Sequence, residues 1–269
     1  MTRRTLEGRV VLVTGAAGGL GAALCRRLVR GGARVAALDF DAGKLDALVA
    51  ELGPRALAIA ADITDPTSGR RAVAATLAQF GALDGLINNA GISHRSLLAE
   101  TDAEVIRRVM EVNFFGAANL TGAALAAIIA RRGFIVAISS VAGFAPLVGR
   151  TGYAASKHAL HGYFDSLRSE VEGAGVDVTV VCPSFIRTGI GAAASDGSGA
   201  PVSGPRVTTG RESSPEQVAE CIVTAVAAGK PLLLPDATSR QAWWLSRLLP
   251  SLYARLMKRR LGREFPSLP

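Results

Sequence analysis

The sequence predicts an α/β fold: a doubly wound parallel sheet of about seven strands with helices on both faces, followed by an amphipathic helical tail. Three observations carry that expectation. Short apolar runs alternate with longer helical patterns from residue 9 to residue 234. The runs are apolar along nearly their whole length, as strands buried on both faces must be. A glycine-rich stretch joins the first run to the first helical pattern.

Arg9–Thr14 (RVVLVT) is the first strand, and Gly19–Arg30 the first helix, with Leu20, Leu24 and Leu28 on one stripe. Arg34–Asp39 is a strand and Lys44–Leu52 a helix. Ala56–Asp62 and Pro66–Phe80 repeat the pair, as do Leu83–Asn88 and a long helix over Asp102–Arg131. Phe134–Ser139 is a strand and Thr151–Glu172 a helix. Val176–Cys182 is the sixth strand. Ser-Ser-Pro-Glu opens a helix over Ser214–Ala228, since serine caps and proline starts a helix well. Leu232–Leu234 is a last short strand. Residues 1–238 therefore read as one domain and 239–269 as an extension. Gly189–Arg211, rich in Gly, Ala, Ser and Pro, lies just past a strand's C-terminal end. Ligands bind there in such sheets, so residues 189–213 are expected to form a substrate loop.

Composition narrows the class. The chain has 269 residues, 49% hydrophobic, 19% charged, with 30 glycines and few aromatics, enough for one large buried core. Cys25, Cys182 and Cys221 are odd in number, far apart and in apolar surroundings. They read as reduced core residues of a cytoplasmic protein, not as a disulfide framework. The apolar run after the basic N-terminus is too short for a signal peptide, and no stretch approaches a membrane span. His94, His158 and His161 form no metal-binding pattern, so no metal is expected; a Gly-x-Ser-x-Gly hydrolase elbow is missing too. The net charge of +8 permits acidic partners such as nucleotides or anionic lipid. Nothing else supports nucleic-acid binding.

Candidate chemistry sits at three places. In Thr14–Gly21 (TGAAGGLG), glycines let the backbone turn and approach a ligand, and the helix start offers N–H groups to a phosphate. Asp39 ends the second strand, 18 residues past Gly21, where a carboxylate accepts both ribose hydroxyls of an adenosine. It would repel a 2′-phosphate, and neither Phe40 nor Ala16 brings a compensating cation, which favours NAD over NADP. Asp62 is placed to meet an adenine edge or to cap a turn. Finally, Tyr153 and Lys157 in YAASK are four apart, on one helix face. Spacing alone leaves a surface pair and a phenol beside a fixed charge equally open.

These motifs resemble, in order, the short-chain dehydrogenase/reductase family of the Rossmann type: Thr14-Gly15-x3-Gly19-x-Gly21, Asp39, Asp62, Asn88-Asn89-Ala90-Gly91, Asn113, Ser140 and Tyr153-x3-Lys157. The resemblance spans roughly residues 6–235. It implies an oxidoreductase moving a hydride between a secondary alcohol or ketone and NAD. Tyr153 would be the acid/base. A free tyrosine has a pKa of about 10, and a nearby ammonium lowers it. Ser140 would hold the substrate oxygen, and Asn113 a water linking Lys157 to solvent. Cofactor contacts would come from Gly15, Gly19, Leu20, Gly21, Asp39, Asp62, Ile63, Asn89, Ala90, Gly91, Tyr153, Lys157, Pro183, Ile186 and Thr188. Ser184 stands where the family often has glycine. Ser140, Tyr153, Phe144, Pro146, Leu147, Val148 and Phe185 are expected to meet a hydrophobic substrate, and His94, near the pocket, either to touch it as well or to stand as a solvated loop residue. The family usually forms dimers or tetramers through the two long helices. An NADPH-dependent ketoreductase and a non-catalytic nucleotide-binding scaffold are the rival readings.

The tail, residues 240–264, carries seven Lys or Arg against Glu264 alone, with Leu245, Leu248, Leu249, Leu252 and Leu256 as an apolar stripe behind Trp243 and Trp244. Pro250 should kink or split it. Two readings compete: a helix packed on its own domain or a partner subunit, and peripheral contact with a membrane.

Overall fold

The computed structural model describes residues 4–191, 193–202, 212–261 and 264–265. Part of the expected substrate loop, residue 192 and residues 203–211, lies outside the described residues. Seven strands form one sheet in the order β3-β2-β1-β4-β5-β6-β7: β1 Val10–Thr14, β2 Arg34–Asp39, β3 Ala56–Ala60, β4 Gly85–Asn88, β5 Phe134–Ile138, β6 Asp177–Val181 and β7 Leu232–Leu233. Every pairing is parallel, for example Val13 with Ala37 on one side and Ile87 on the other. Strand order reverses between β1 and β4, so a crevice opens at their C-terminal ends.

Each face of the sheet has its own apolar core. Helices α1 (Gly19–Arg30), α2 (Ala42–Leu52) and α7 (Pro215–Ala227) cover one face through Leu24, Leu28, Leu45 and Ile222. Helices α3 (Ser68–Phe80), α5 (Gly116–Ala130) and α6 (Thr151–Val171) cover the other through Phe80, Leu120, Ile128 and Phe164. The capping box at the start of α7 is present: Ser214 accepts from the Gln217 backbone N–H, and the Gln217 side chain accepts from the Ser214 N–H.

The expected helix over Asp102–Arg131 is three pieces in line: α4 (Ala103–Met110), a π-helical turn at Glu111–Phe115, and α5. Two packing demands coincide there. Asn113 must reach the loop after β4, and Gly116 must pass Ile63, where a Cβ would come within 2.9 Å of that side chain. The expectation that no stretch approaches a membrane span is corrected here: the composite helix, Ala103–Ala130, has that length and apolarity, yet it packs against α3 and α6 within the domain.

The tail is two helices, α8 (Ala237–Leu248) and α9 (Pro250–Leu261), broken at Leu249 as Pro250 requires. They fold back on the domain. Ala242, Tyr253, Met257 and Leu261 form a small core with Ala145, flanked by Leu147, Val148 and Leu245. The buried stripe of α9 is thus Tyr253–Met257–Leu261, at i, i+4 and i+8. Leu248, Leu249 and Leu252 of the expected stripe stand exposed.

Candidate active site

The glycine turn is held from below by Thr14. Its hydroxyl accepts from the backbone N–H groups of Asn89 (3.0 Å) and Ala90 (2.9 Å). The Asn89 amide returns the contact, donating to the carbonyls of Thr14 (2.9 Å) and Gly15 (3.1 Å). The ends of β1 and β4 are thereby fixed side by side. Gly15 has φ of 61°, and a Cβ on Gly21 would lie 2.0 Å from the Gly15 carbonyl oxygen. The turn therefore needs both glycines, the first for its left-handed backbone and the second for close approach. Gly18 caps α1 without a side-chain acceptor, and no acidic residue stands in the first turn. Those N–H groups face the crevice as an anion site.

Asp39, at the end of β2, is buried; its carboxylate accepts from Ala17 N–H (2.9 Å) and Asp41 N–H (3.1 Å). Asp62 does cap a turn: one oxygen accepts from both the N–H and the hydroxyl of Thr64, at 2.8 Å each. Those bonds hold its carboxyl below the usual range, against some cost of burial. It nonetheless lines the same crevice as Asp39, beside Ile63. The residues present fit a dinucleotide: glycine-bounded N–H groups for phosphates at one place, a fixed carboxylate for hydroxyls at another.

Across the crevice, α6 presents Tyr153 and Lys157. Lys157 is buried, its Nζ donates to the Ile138 carbonyl (2.8 Å), and it lies 5.7 Å from the Tyr153 ring centre. The pair is not a surface contact. Burial pushes the Lys157 ammonium down to about 8. Ser139 donates to the Lys157 carbonyl (3.1 Å), tying the end of β5 to α6 and placing Ser140 at the crevice wall. Asn113 is spent on alignment. Its oxygen accepts from Ile92 N–H (2.8 Å), and its nitrogen donates to Ile92 O (3.0 Å) and Ser156 Oγ (2.9 Å). Ser156 in turn donates to the Tyr153 carbonyl. One asparagine thus joins the NNAGI loop to the YAASK helix.

Gly15, Gly21, Asp39, Asp62, Ser140, Tyr153 and Lys157 border one cavity of about 790 Å³, while Thr14, Asn113 and Ser156 stand outside its lining. Every expected cofactor residue borders it, including Leu20, Gly91, Pro183, Ile186 and Thr188. Of the expected substrate residues, Ser140, Leu147, Tyr153 and Phe185 border it too. Phe144 and Pro146 do not. Phe144 is turned away under α8, edge-on to Trp243 with ring centres 4.9 Å apart, and Pro146 is exposed. Val148 belongs to the small core beneath α9.

His94 is also corrected: it is 0% exposed and outside the cavity wall. Its Nε2 accepts from Gly152 N–H (3.0 Å), so Nδ1 carries the proton toward Ser96 Oγ (3.1 Å). It anchors the start of α6. Burial first, and the Arg150 charge second, push it down to about 4. The sign follows: below about pH 6.5 the unfolded imidazole takes a proton that the folded one refuses. Stability is complete above that pH and is lost as pH falls toward 4. Thermal unfolding between pH 7 and pH 4.5 should show the loss, up to about 3 kcal/mol, and His94→Gln should flatten it; an unchanged slope in the variant would assign the loss elsewhere.

Sequence reasoning missed the far wall. Tyr253, Leu256, Met257, Arg260 and Leu261 of α9 and Thr238, Gln241, Ala242 and Leu245 of α8 close the cavity. Beyond α9, Glu264 is ion-paired with both Arg95 (3.5 Å) and Arg150 (3.4 Å), its side chain 5% exposed. The tyrosine at i, i+4, i+8 with Met257 and Leu261 was the signal available. Ser184, the departure from glycine, has a role in this closure: its N–H and hydroxyl donate to Asp236 at 3.0 and 2.7 Å, and Asp236 caps α8. The described part of the substrate loop is pinned by Ser195 N–H to Ser93 O (3.1 Å) and Asp102 N–H to Gly197 O (2.8 Å). Among the described residues, no cluster of His, Cys, Asp or Glu could hold a metal.

The family model described as short chain dehydrogenase matches residues 9–198. The bovine protein named Dehydrogenase/reductase SDR family member 7B is 38% identical over 273 residues, covering 97% of this chain and 84% of its own. A short chain dehydrogenase/reductase from Burkholderia phymatum, solved in complex with NAD, shares the fold with a TM-score of 0.83 at 24% identity, over 93% of this chain and 96% of its own. The 3-ketoacyl-(acyl-carrier-protein) reductase of Brucella melitensis, complexed with NADH, gives 0.76 at 26% identity, over 85% of this chain and 97% of its own.

Proposed function

The chain belongs to the short-chain dehydrogenase/reductase family of oxidoreductases, and from that premise we propose that it interconverts a secondary alcohol and a ketone with NAD, on a bulky hydrophobic substrate. The observation that carries this reading is the convergence of Ser140, Tyr153 and Lys157 on a cavity that also holds the glycine turn and Asp39. Two solved structures of the same fold hold NAD or NADH, which supports a nicotinamide cofactor. Asp39 supports NAD over NADP, because a carboxylate repels a 2′-phosphate.

When bound, the nicotinamide supplies or accepts the hydride. The chain does the rest. Ser140 holds the substrate oxygen with its hydroxyl. Tyr153 gives that oxygen a proton in reduction and takes it in oxidation. The Lys157 charge, held by Ile138, favours the phenolate and so brings the phenol into working range. Asn113 and Ser156 position the helix that carries both. Phe185, Leu147, Leu245, Leu256 and Met257 exclude water and give the substrate end its apolar character.

A panel of secondary alcohols with NAD, followed by NADH absorbance, tests the reading. Turnover should be present and should favour long-chain or ring-bearing alcohols over polyols. Preference for polyols would end the substrate class, and no turnover in either direction with any member would end the enzyme reading. The proposal includes a dimer or tetramer built through α4, α5 and α6, where Phe115 and Ile129 are exposed; sedimentation as a monomer would remove that part. It also includes a cytoplasmic location, suited to three free cysteines, which cell fractionation checks.

A further inference from the structure

The α8–α9 hairpin has two apolar faces. One, with Ala242, Tyr253, Met257 and Leu261, is buried over the cavity. The other is exposed: Trp244 (62%), Leu248 (69%), Leu249 (53%) and Leu252 (38%) gather around the break between the helices. Trp244 and Leu248 lie one helical turn apart, and Leu249 and Leu252 continue the patch across the break. The domain core does not need these side chains, and a tryptophan with three leucines exposed together is rarely left bare.

Charge decides what covers them. Between residues 237 and 261 there is no acidic residue, and Arg240, Arg247, Arg255, Lys258, Arg259 and Arg260 are all exposed. A second copy meeting this patch about a two-fold axis would place its cations against the same cations. A nucleic acid would meet the cations but has no use for the leucines. An anionic bilayer satisfies both: headgroups take the arginines and lysine, the acyl boundary takes the apolar tip, and tryptophan sits at the interface between them.

We propose that the α8–α9 hairpin seats this protein on the surface of an anionic membrane, with Trp244, Leu248, Leu249 and Leu252 inserted at the acyl boundary. The consequence for the site is direct. Thr238, Gln241, Leu245, Leu256 and Arg260 of the same two helices border the cavity. Its far wall therefore stands at the bilayer, and the substrate is an amphiphile taken from the lipid phase. This last step rests on the hydrophobic-substrate reading above; the docking itself does not.

Co-sedimentation with vesicles of phosphatidylcholine alone, or with about a third phosphatidylglycerol, tests it. The full chain should partition onto anionic vesicles at least about tenfold more than onto neutral ones, and high salt should remove most of the difference. Leu248→Glu with Leu249→Glu should lose that binding while keeping NADH affinity, since neither residue borders the cavity. Arg255→Glu with Arg259→Glu gives an independent second variant with the same expected loss. Pelleting that ignores lipid charge, or variants that pellet like the parent, overturns docking. So does a lipid-free oligomer that the leucine variant dissociates, which would assign the patch to a second copy. If docking holds but turnover on amphiphiles is not raised by vesicles, the membrane seat stands and the supply of substrate from the bilayer falls.

Discussion

Tyr153→Phe should cut kcat by about 10²–10⁴-fold, the range for loss of a positioned general acid or base, and leave NADH binding within a factor of about two. The substitution removes one hydroxyl and keeps the ring that lies 5.7 Å from Lys157 Nζ. The α6 backbone is fixed independently, by Ser156 donating to the Tyr153 carbonyl and by the Asn113–Ser156 bond. Cavity shape and cofactor contacts therefore survive while proton delivery does not. Steady-state turnover together with NADH fluorescence titration measures both quantities. Turnover within threefold of the parent would mean that another group moves the proton, and the assignment of Tyr153 would fail.

Asp39→Ala with Phe40→Arg should invert the cofactor preference. Loss of a carboxylate hydrogen-bonding to ribose hydroxyls is expected to lower kcat/KM for NAD by about 10–100-fold, as for other charged hydrogen bonds. The same change frees the N–H groups of Ala17 and Asp41, which Asp39 now occupies, as donors for a phosphate. Phe40 is exposed, so an arginine there meets no steric barrier and supplies the cation that the strand end lacks. A gain of similar size for NADP follows. If the double variant keeps its preference for NAD, Asp39 does not set cofactor choice.

Much of this was legible in the chain itself because it depends on local rules. Short runs that are apolar along nearly their whole length suit central parallel strands, and β1, β2, β5 and β6 are that. Gly15 is required by its own left-handed backbone and Gly21 by a clash with Gly15 itself, both within seven residues of chain. Tyr153 and Lys157 share a face because a helix puts them there. Other readings failed where a local pattern was outvoted by packing. His94 follows a motif near the cavity, yet Gly152 and Ser96 take both of its nitrogens. Phe144 sits two residues past a cavity-lining segment, yet Trp243, about 100 residues away in sequence, captures its ring.

The tail marks the boundary between the two kinds of knowledge. The sequence alone determined that the tail is basic and amphipathic and that its helix, described as far as Leu261, is broken at Pro250, since period, charge and a missing N–H are properties of the segment. Only the tertiary structure decided which apolar face the domain takes. That choice depends on the hollow left by Ala145, Leu147 and Val148, which accepts Tyr253, Met257 and Leu261 and leaves Leu248, Leu249 and Leu252 outside. Shape complementarity between distant segments is not written in either segment, and here it both closes the cavity and leaves an apolar tip uncovered.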